Sequence, residues 1–185
     1  METFIDVYDN ALSTAQCNTI IDWFEKSTEK QFPGECGNNK LIDTRVKNST
    51  DISLQFNSEC EISQIIFPQL RHYVIKYIET YNITSLVSGI ENDIHYTLQK
   101  YKPNQGYFGE HCEHDNSSSS RVLGWTLYLN DIVDGGATYY TKYDLKISAK
   151  TGRLVIFPAY WTHAHKGLVS LTETKYISTG WFTLT

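Results

Sequence analysis

Apolar residues follow two different periods along this chain, and the change comes near residue 90. In the first part they recur at three- and four-residue steps, the spacing of one helical face. Ser13 stands where an N-cap belongs, and Ile20, Ile21, Trp23 and Phe24 follow it as an apolar stripe, which predicts a helix over 14–27. Between Ser58 and Tyr81 the positions Ile62, Ile65, Ile66, Leu70, Val74, Ile75 and Ile78 keep the same spacing and mark the strongest helix of the sequence. Pro68 lies inside it, so two helical pieces or a kink are expected there. The polar stretch from Lys30 to Asn48, with Gly34, Gly37, Asn38 and Asn39, reads as loops with a short strand around Thr44–Val46.

From about Ile94 onward the pattern turns to short β-rich runs, at 95–101, 121–130, 137–140, 144–148, 152–158 and 175–184. Pro103-Asn104, Asp134-Gly135-Gly136 and Thr151-Gly152 supply turn signals between them. Many short strands at such intervals predict a sandwich or jelly roll rather than a parallel sheet with crossover helices. The expected fold class is mainly β (α+β), as a single domain over 1–185. Its helical support region would occupy 1–90 and its β-body 91–185. Ser117 to Ser120 form a low-complexity patch too short to act as a linker.

Composition narrows the function classes. At 185 residues the chain has a net charge of −5 and no basic block, so strong non-specific nucleic-acid binding is not expected. No stretch approaches the roughly 20 apolar residues of a membrane span, and the N-terminus is acidic, unlike a signal peptide. A cytoplasmic location is therefore expected. Thirteen tyrosines and four tryptophans suit a sheet with a polar, aromatic-lined interior. Cys17, Cys36, Cys60 and Cys112 show no C-x-x-C spacing and read as free thiols in a reducing compartment.

Candidate chemistry gathers in two histidine groups inside the β-rich part. His111-Cys112-Glu113-His114-Asp115 places two imidazoles and two carboxylates in five residues, and His163-Ala164-His165 adds two more imidazoles. In an extended strand, His111 and Glu113 share a face and can converge on one ion. A histidine from the distant group would complete a facial triad of the kind found in non-haem Fe(II) oxygenases. Asp115 with His111 or His114 is a rival carboxylate assignment, and alternation alone does not separate His163 from His165. His72 and His95 have the ordinary reading of surface or core residues.

Lys175 stands ten residues after His165, in a run that is otherwise apolar and aromatic. By alternation Lys175, Ile177 and Thr179 share one face. An inward lysine there needs an anionic partner, because an uncompensated buried charge costs about 3–5 kcal/mol.

These residues resemble the Fe(II)/2-oxoglutarate-dependent dioxygenases, and within them the prolyl 4-hydroxylase-like family. The resemblance runs over roughly 95–183. Its pieces are Tyr101, His111-x-Glu113, Arg121, Tyr128-Leu129-Asn130, Gly135-Gly136-Ala137-Thr138-Tyr139, Gly152-Arg153-Leu154-Val155-Ile156-Phe157, His165-Lys166-Gly167, and Lys175 with Thr179 and Trp181. Each piece is weak alone; together, in the family's order, they form a specific pattern. The N-terminal run from Phe4 to Phe24 is also similar to the opening of these hydroxylases.

The resemblance implies a double-stranded β-helix (distorted jelly roll) supported by the N-terminal helices. It implies that His111, Glu113 and His165 hold iron. Lys175 would pair with the distal carboxylate of 2-oxoglutarate, helped by Tyr128 and Thr179, while Tyr101 lines the pocket. Arg121 would sit near the mouth, and Trp181, with Trp125, Tyr139 and Tyr140, is a candidate wall. Fe(II), 2-oxoglutarate and O₂ are the implied cofactors, with ascorbate as reductant and a proline-containing peptide or protein as partner. The substrate-gripping segment would be 116–120. One departure stands out: the family usually carries aspartate where this chain has Glu113. A small molecule or nucleobase is the alternative substrate. A zinc hydrolase is a further alternative, but the H-E-x-x-H signature is absent and a hydrolase leaves Lys175 and Thr179 without a role. A non-catalytic jelly-roll binding module would not require the apparently complete ligand set.

Overall fold

The computed structural model describes residues 2–36, 41–56, 59–84, 89–115 and 118–184. In chain order its elements are β1 (Asp6–Tyr8), α1 (Thr14–Lys26), β2 (Phe32–Pro33), β3 (Thr50–Gln55), α2 (Glu61–Thr80), β4 (Ile90–Tyr101), β5 (Arg121–Tyr128), β6 (Thr138–Tyr140), β7 (Leu145–Ile147), β8 (Leu154–Pro158), β9 (His165–Gly167) and β10 (Lys175–Leu184). Helix α1 starts where the sequence places it. The Ser13 hydroxyl accepts from the Gln16 amide at 3.3 Å, and the Gln16 side chain accepts from the Ser13 amide at 2.9 Å. Cys17, Ile20 and Phe24 form its buried face.

Helix α2 runs unbroken through Pro68, so the two separate pieces that its position allows do not form. Pro68 and its neighbour Phe67 lie on the exposed side of the helix, where the loss of a backbone donor is tolerated. Ile62, Ile66, Leu70, Val74 and Tyr77 make the opposite, buried face. The strand expected around Thr44–Val46 is also absent. Asp43 folds that segment into a turn, its side chain accepting from the Arg45 amide at 3.0 Å and its carbonyl from the Val46 and Lys47 amides, both at 2.9 Å. The strand begins later, at Thr50.

Two antiparallel sheets build the body. The larger has the strand order β1-β8-β5-β10-β4-β3-β2 and the smaller β7-β6-β9. Both helices pack on the outer face of the larger sheet, with Trp125, Leu127, Phe182, Tyr96 and Leu98 meeting Ile20, Phe24, Ile62, Ile66 and Leu70. Between the sheets, Tyr128, Val155 and Phe157 pack against Tyr140 and Ile147. This is the jelly-roll arrangement the sequence pattern predicts. Gly152 makes one of its tight turns at φ +73°, where a Cβ would lie 2.0 Å from the Leu12 carbonyl.

Alternation along β10 sorts its residues cleanly. Lys175, Ile177, Thr179 and Trp181 face a cavity, while Phe182 turns to the helices. All four cysteines are free. Among the described residues no helix is long and apolar enough to cross a membrane.

Candidate active site

The cavity between the sheets has a volume of about 700 Å³ and is walled mainly by β3, β4, β5, β10 and β9. One of its walls is set by an isolated backbone bridge between His111 and His165. The His111 amide donates to the His165 carbonyl at 3.0 Å and the His165 amide returns the bond at 2.9 Å. This ties two distant chain segments together and brings the imidazole centroids to 4.6 Å. Glu113 sits in a bend rather than in a named strand, and its amide donates to the Ala159 carbonyl at 2.9 Å.

The three side chains meet. Glu113 Oε1 lies 3.7 Å from His111 Nε2 and 3.4 Å from His165 Nε2. One ligand atom from each of the three lies within 4.8 Å of the others, the one such group among the described residues. Each Nδ1 faces a backbone carbonyl, Gly109 at 3.0 Å for His111 and His163 at 2.9 Å for His165. A carbonyl can only accept, so Nδ1 carries the proton and the Nε2 lone pairs point at the gap. Burial, and then the neighbouring His165, pushes His111 down to about 4, which keeps it neutral and ligand-competent. Burial opposes ionisation of Glu113, but the neighbouring His165 and His111 rings and the Trp181 N–H that donates to Oε2 outweigh it and hold the carboxyl at about 2. Two imidazoles and one carboxylate, lining one cavity, form the donor set suited to a non-haem ferrous ion.

Lys175 closes the inner end of the same cavity. The residue is 4% exposed, and its ammonium donates to the Gly136 carbonyl at 3.0 Å and lies 4.9 Å from the Tyr101 ring centroid. Among the described residues it has no carboxylate partner, and burial lowers it to about 8. A Cβ on Gly167 would lie 3.8 Å from Lys175 Nζ, so the bare β9 backbone leaves space between the lysine and His165, two residues before Gly167. A buried cation beside such a space is a site for an anion.

The other candidates divide. Tyr101 and Thr179 line the cavity; Tyr101 donates to Gln99 Oε1 at 2.6 Å, and Thr179 donates to the Trp125 carbonyl at 2.9 Å. Tyr128 does not line it. Its hydroxyl lies behind the wall, 2.5 Å from Thr138 Oγ1, and Thr138 faces the cavity instead. Trp181 donates from Nε1 to Glu113 Oε2 at 2.6 Å, and the Arg121 guanidinium lies 3.4 Å from the Trp181 ring centroid. Trp125 and Tyr140 are core residues, and Tyr139 faces outward to Asp144, so these three are not cavity walls.

The rival residues separate as well. Asp115 reaches the edge of the cavity, but its Oδ1 accepts from the Ser118 amide at 3.0 Å. The His114 ring lies against Tyr160, with Nδ1 3.1 Å from the Arg121 carbonyl. His163 lies in a 3-10 turn rather than on the strand of His165, and its Nε2 meets the Thr3 carbonyl at 2.7 Å. Of the serine-rich segment 116–120, residues 116 and 117 lie outside the described residues. Gly37, Asn38 and Asn39 of the earlier loop lie outside them too.

Sequence reasoning missed several lining residues. Tyr107 stacks on His111 at 3.8 Å, and the buried Lys47–Asp51 pair closes to 2.6 Å on the β3 side. Gln99, Thr126 and Thr138 also face in. Alternation from Thr179 along its register partners Thr126 and Thr97 was the available signal for the threonines.

An antiparallel jelly roll that presents two histidines and a carboxylate beside a buried lysine has the donor set and the anion pocket that a non-haem iron oxygenase uses. The model of the 2OG-Fe(II) oxygenase superfamily matches residues 96–183, the segment holding the triad and Lys175. Among solved structures, the chain is similar to the viral collagen prolyl hydroxylase of Paramecium Bursaria Chlorella virus-1 in its 2OG complex. That match has 18% identity and a TM-score of 0.74, covering 99% of this chain and 97% of that one. A Pseudomonas putida prolyl-4-hydroxylase matches at 16% identity and TM-score 0.71, covering 99% and 94%. A Trichoplax adhaerens prolyl hydroxylase, in complex with a hypoxia inducible factor oxygen degradation domain peptide fragment, matches at 15% and 0.77, covering 98% and 84%. Comparison with curated proteins gives no match. Over residues 96–183, just under half of the chain, the sequence matches the 2OG-Fe(II) oxygenase superfamily, and the solved prolyl hydroxylases share the fold of the whole chain.

Proposed function

We propose that this enzyme hydroxylates a prolyl residue of a peptide or protein, with Fe(II), 2-oxoglutarate and O₂ as cofactors. The observation that carries the reaction class is the His111–Glu113–His165 face and the unpaired Lys175 ammonium sharing one cavity. The peptide substrate is supported by the likeness to prolyl hydroxylases, one of them holding a peptide.

His111, Glu113 and His165 are the residues that would hold the iron. With 2-oxoglutarate, bound iron supplies the oxidising chemistry: one oxygen atom of O₂ enters a C–H bond, and the co-substrate becomes succinate and CO₂. The protein's own contributions are positional. Lys175 holds the distal carboxylate of 2-oxoglutarate, in a buried recess where a single charge pair counts for more than it does in bulk water. Tyr101 packs under the lysine, and Thr179 walls the recess. Tyr128 acts through Thr138, fixing the hydroxyl that faces the cavity. Arg121 and Trp181 form the wall on the substrate side. Ascorbate is the reductant expected to sustain turnover.

The test is succinate formation by the purified chain with Fe(II), ascorbate and 2-oxoglutarate, together with mass spectrometry of proline-containing peptides. Gain of one oxygen atom on proline, dependent on 2-oxoglutarate and absent in His165→Ala, is expected. Succinate formation with no peptide modified would overturn the prolyl assignment and direct the search to small molecules.

A further inference from the structure

The triad differs from the usual family pattern by one methylene, and the structure shows where that extra length goes. Glu113 reaches past the gap between the imidazoles with only one of its oxygens left facing it. Oε1 stands 3.7 and 3.4 Å from the two Nε2 atoms, whereas Oε2 accepts from the indole N–H of Trp181 at 2.6 Å. We propose that Trp181 is a positioning residue for the metal, tying up Oε2 so that the longer glutamate acts as a one-oxygen ligand.

Three independent features of the fold converge on this contact. First, the residue opposite Trp181 in the β5–β10 ladder is Gly124. Facing residues in such a ladder ordinarily touch through their side chains. Here the place of a side chain is taken by the glutamate arm: a Cβ on Gly124 would lie 3.2 Å from Glu113 Cγ and 2.7 Å from Phe157 Cζ.

Second, the pairing of β10 with β4 is interrupted at Trp181. Gly180 pairs with Tyr96 but Phe182 pairs with Asn92, so Trp181 has no partner on that side. Irregularities of this kind re-aim a side chain beside a site.

Third, Arg121 braces both members. Its guanidinium lies 3.4 Å from the indole centroid, and Nη1 donates to the Glu113 carbonyl at 3.3 Å. With the Glu113 amide on Ala159 and Oε2 on Trp181, the residue is held at its backbone and at its tip. A glutamate without the indole would swing more freely and could offer both oxygens to an ion.

The proposal rests on the triad being the metal site, and the experiment separates the two. Mn(II) affinity of the 185-residue chain is measured by calorimetry, and the d–d absorption of the Co(II) form reports the carboxylate's binding mode. Trp181→Phe, which keeps the ring and removes the N–H, is expected to weaken Mn(II) binding about tenfold, the scale of lost outer hydrogen bonds, and to change the Co(II) spectrum. Glu113→Asp leaves the tryptophan packing alone but draws the carboxylate away from the indole, and the same direction of change is expected. In the double variant the two losses should be strongly non-additive, because both remove one contact. Additive losses, or a Trp181→Phe protein with wild-type affinity and spectrum, would overturn the role of Trp181. A wild type that binds Mn(II) no better than His165→Ala would overturn the metal reading itself, and the clamp with it.

Discussion

Lys175 should make the enzyme less stable on its own and more stable with its co-substrate, and replacing it by methionine tests both halves. Methionine fills nearly the same volume, so packing is largely kept. Burial lowers the ammonium from the ordinary 10.5 to about 8, a gap equivalent to about 3 kcal/mol of desolvation at neutral pH. Two contacts return part of it. The bond to the Gly136 carbonyl and the Tyr101 ring each contribute about 1 kcal/mol. The Lys175→Met protein without ligand should therefore be more stable than wild type by about 1 kcal/mol, or about 3 °C in melting temperature for a chain of this length. The sign with pH follows. The folded-state value lies below the unfolded one, so the penalty is full below about pH 8 and is relieved as the pH rises toward 10.5. Wild type should close the gap on the variant across that window. With 2-oxoglutarate at a hundred times its dissociation constant, wild type gains about 2.7 kcal/mol and the variant almost none, so the order of stability reverses. Urea melts with and without 2-oxoglutarate measure this. Equal stabilisation of both proteins by 2-oxoglutarate would refute the role of Lys175, and a variant less stable than wild type without ligand would refute the desolvation argument.

Pro68→Ala restores a backbone donor on the exposed side of α2 and should raise stability by about 2 kcal/mol in a chemical melt; an unchanged midpoint would mean the helix already meets the cost there. Ser13→Ala removes the α1 cap and should cost about 1 kcal/mol in the same assay. Gly124→Ala drives a methyl into Phe157 and the Glu113 arm, so it should lower stability by about 1–3 kcal/mol and also weaken Mn(II) binding. Arg153 holds Asp9 down to about 2 from 3.8. Its stabilisation is present above about pH 4 and fades as the pH falls toward 2, so Arg153→Met should flatten the acid limb of a stability–pH curve.

The features legible in the sequence were those carried by period and spacing. The Ser13 cap, the α1 and α2 stripes and the β-rich second half appear in the structure because each depends on neighbours a few residues away. The misplaced strand at 44–46 shows the limit of that logic. Thr44 and Val46 favour extended backbone, but the Asp43 side chain outcompetes a ladder by capturing the Arg45 amide. Pro68 shows another: its effect depends on which way it faces, and that is decided by the sheet beneath α2. Lys47–Asp51 and Tyr107 were invisible because nothing in their local pattern marks them. They reach the cavity only through pairings with β4 and with the segment before His111.

Trp181 and Gly124 explain why the glutamate was readable as a ligand but not as a problem with a solution. Spacing from His111 singles out Glu113, and the extra methylene then looks like a simple lengthening. In three dimensions that length needs an empty place and an anchor. Gly124 supplies the place because it has no side chain, and Trp181 supplies the anchor because the ladder sets it opposite that glycine. Gly124 stands eleven residues beyond Glu113 and Trp181 sixty-eight, and neither residue type signals the function alone. The three residues therefore form one arrangement, to be changed together.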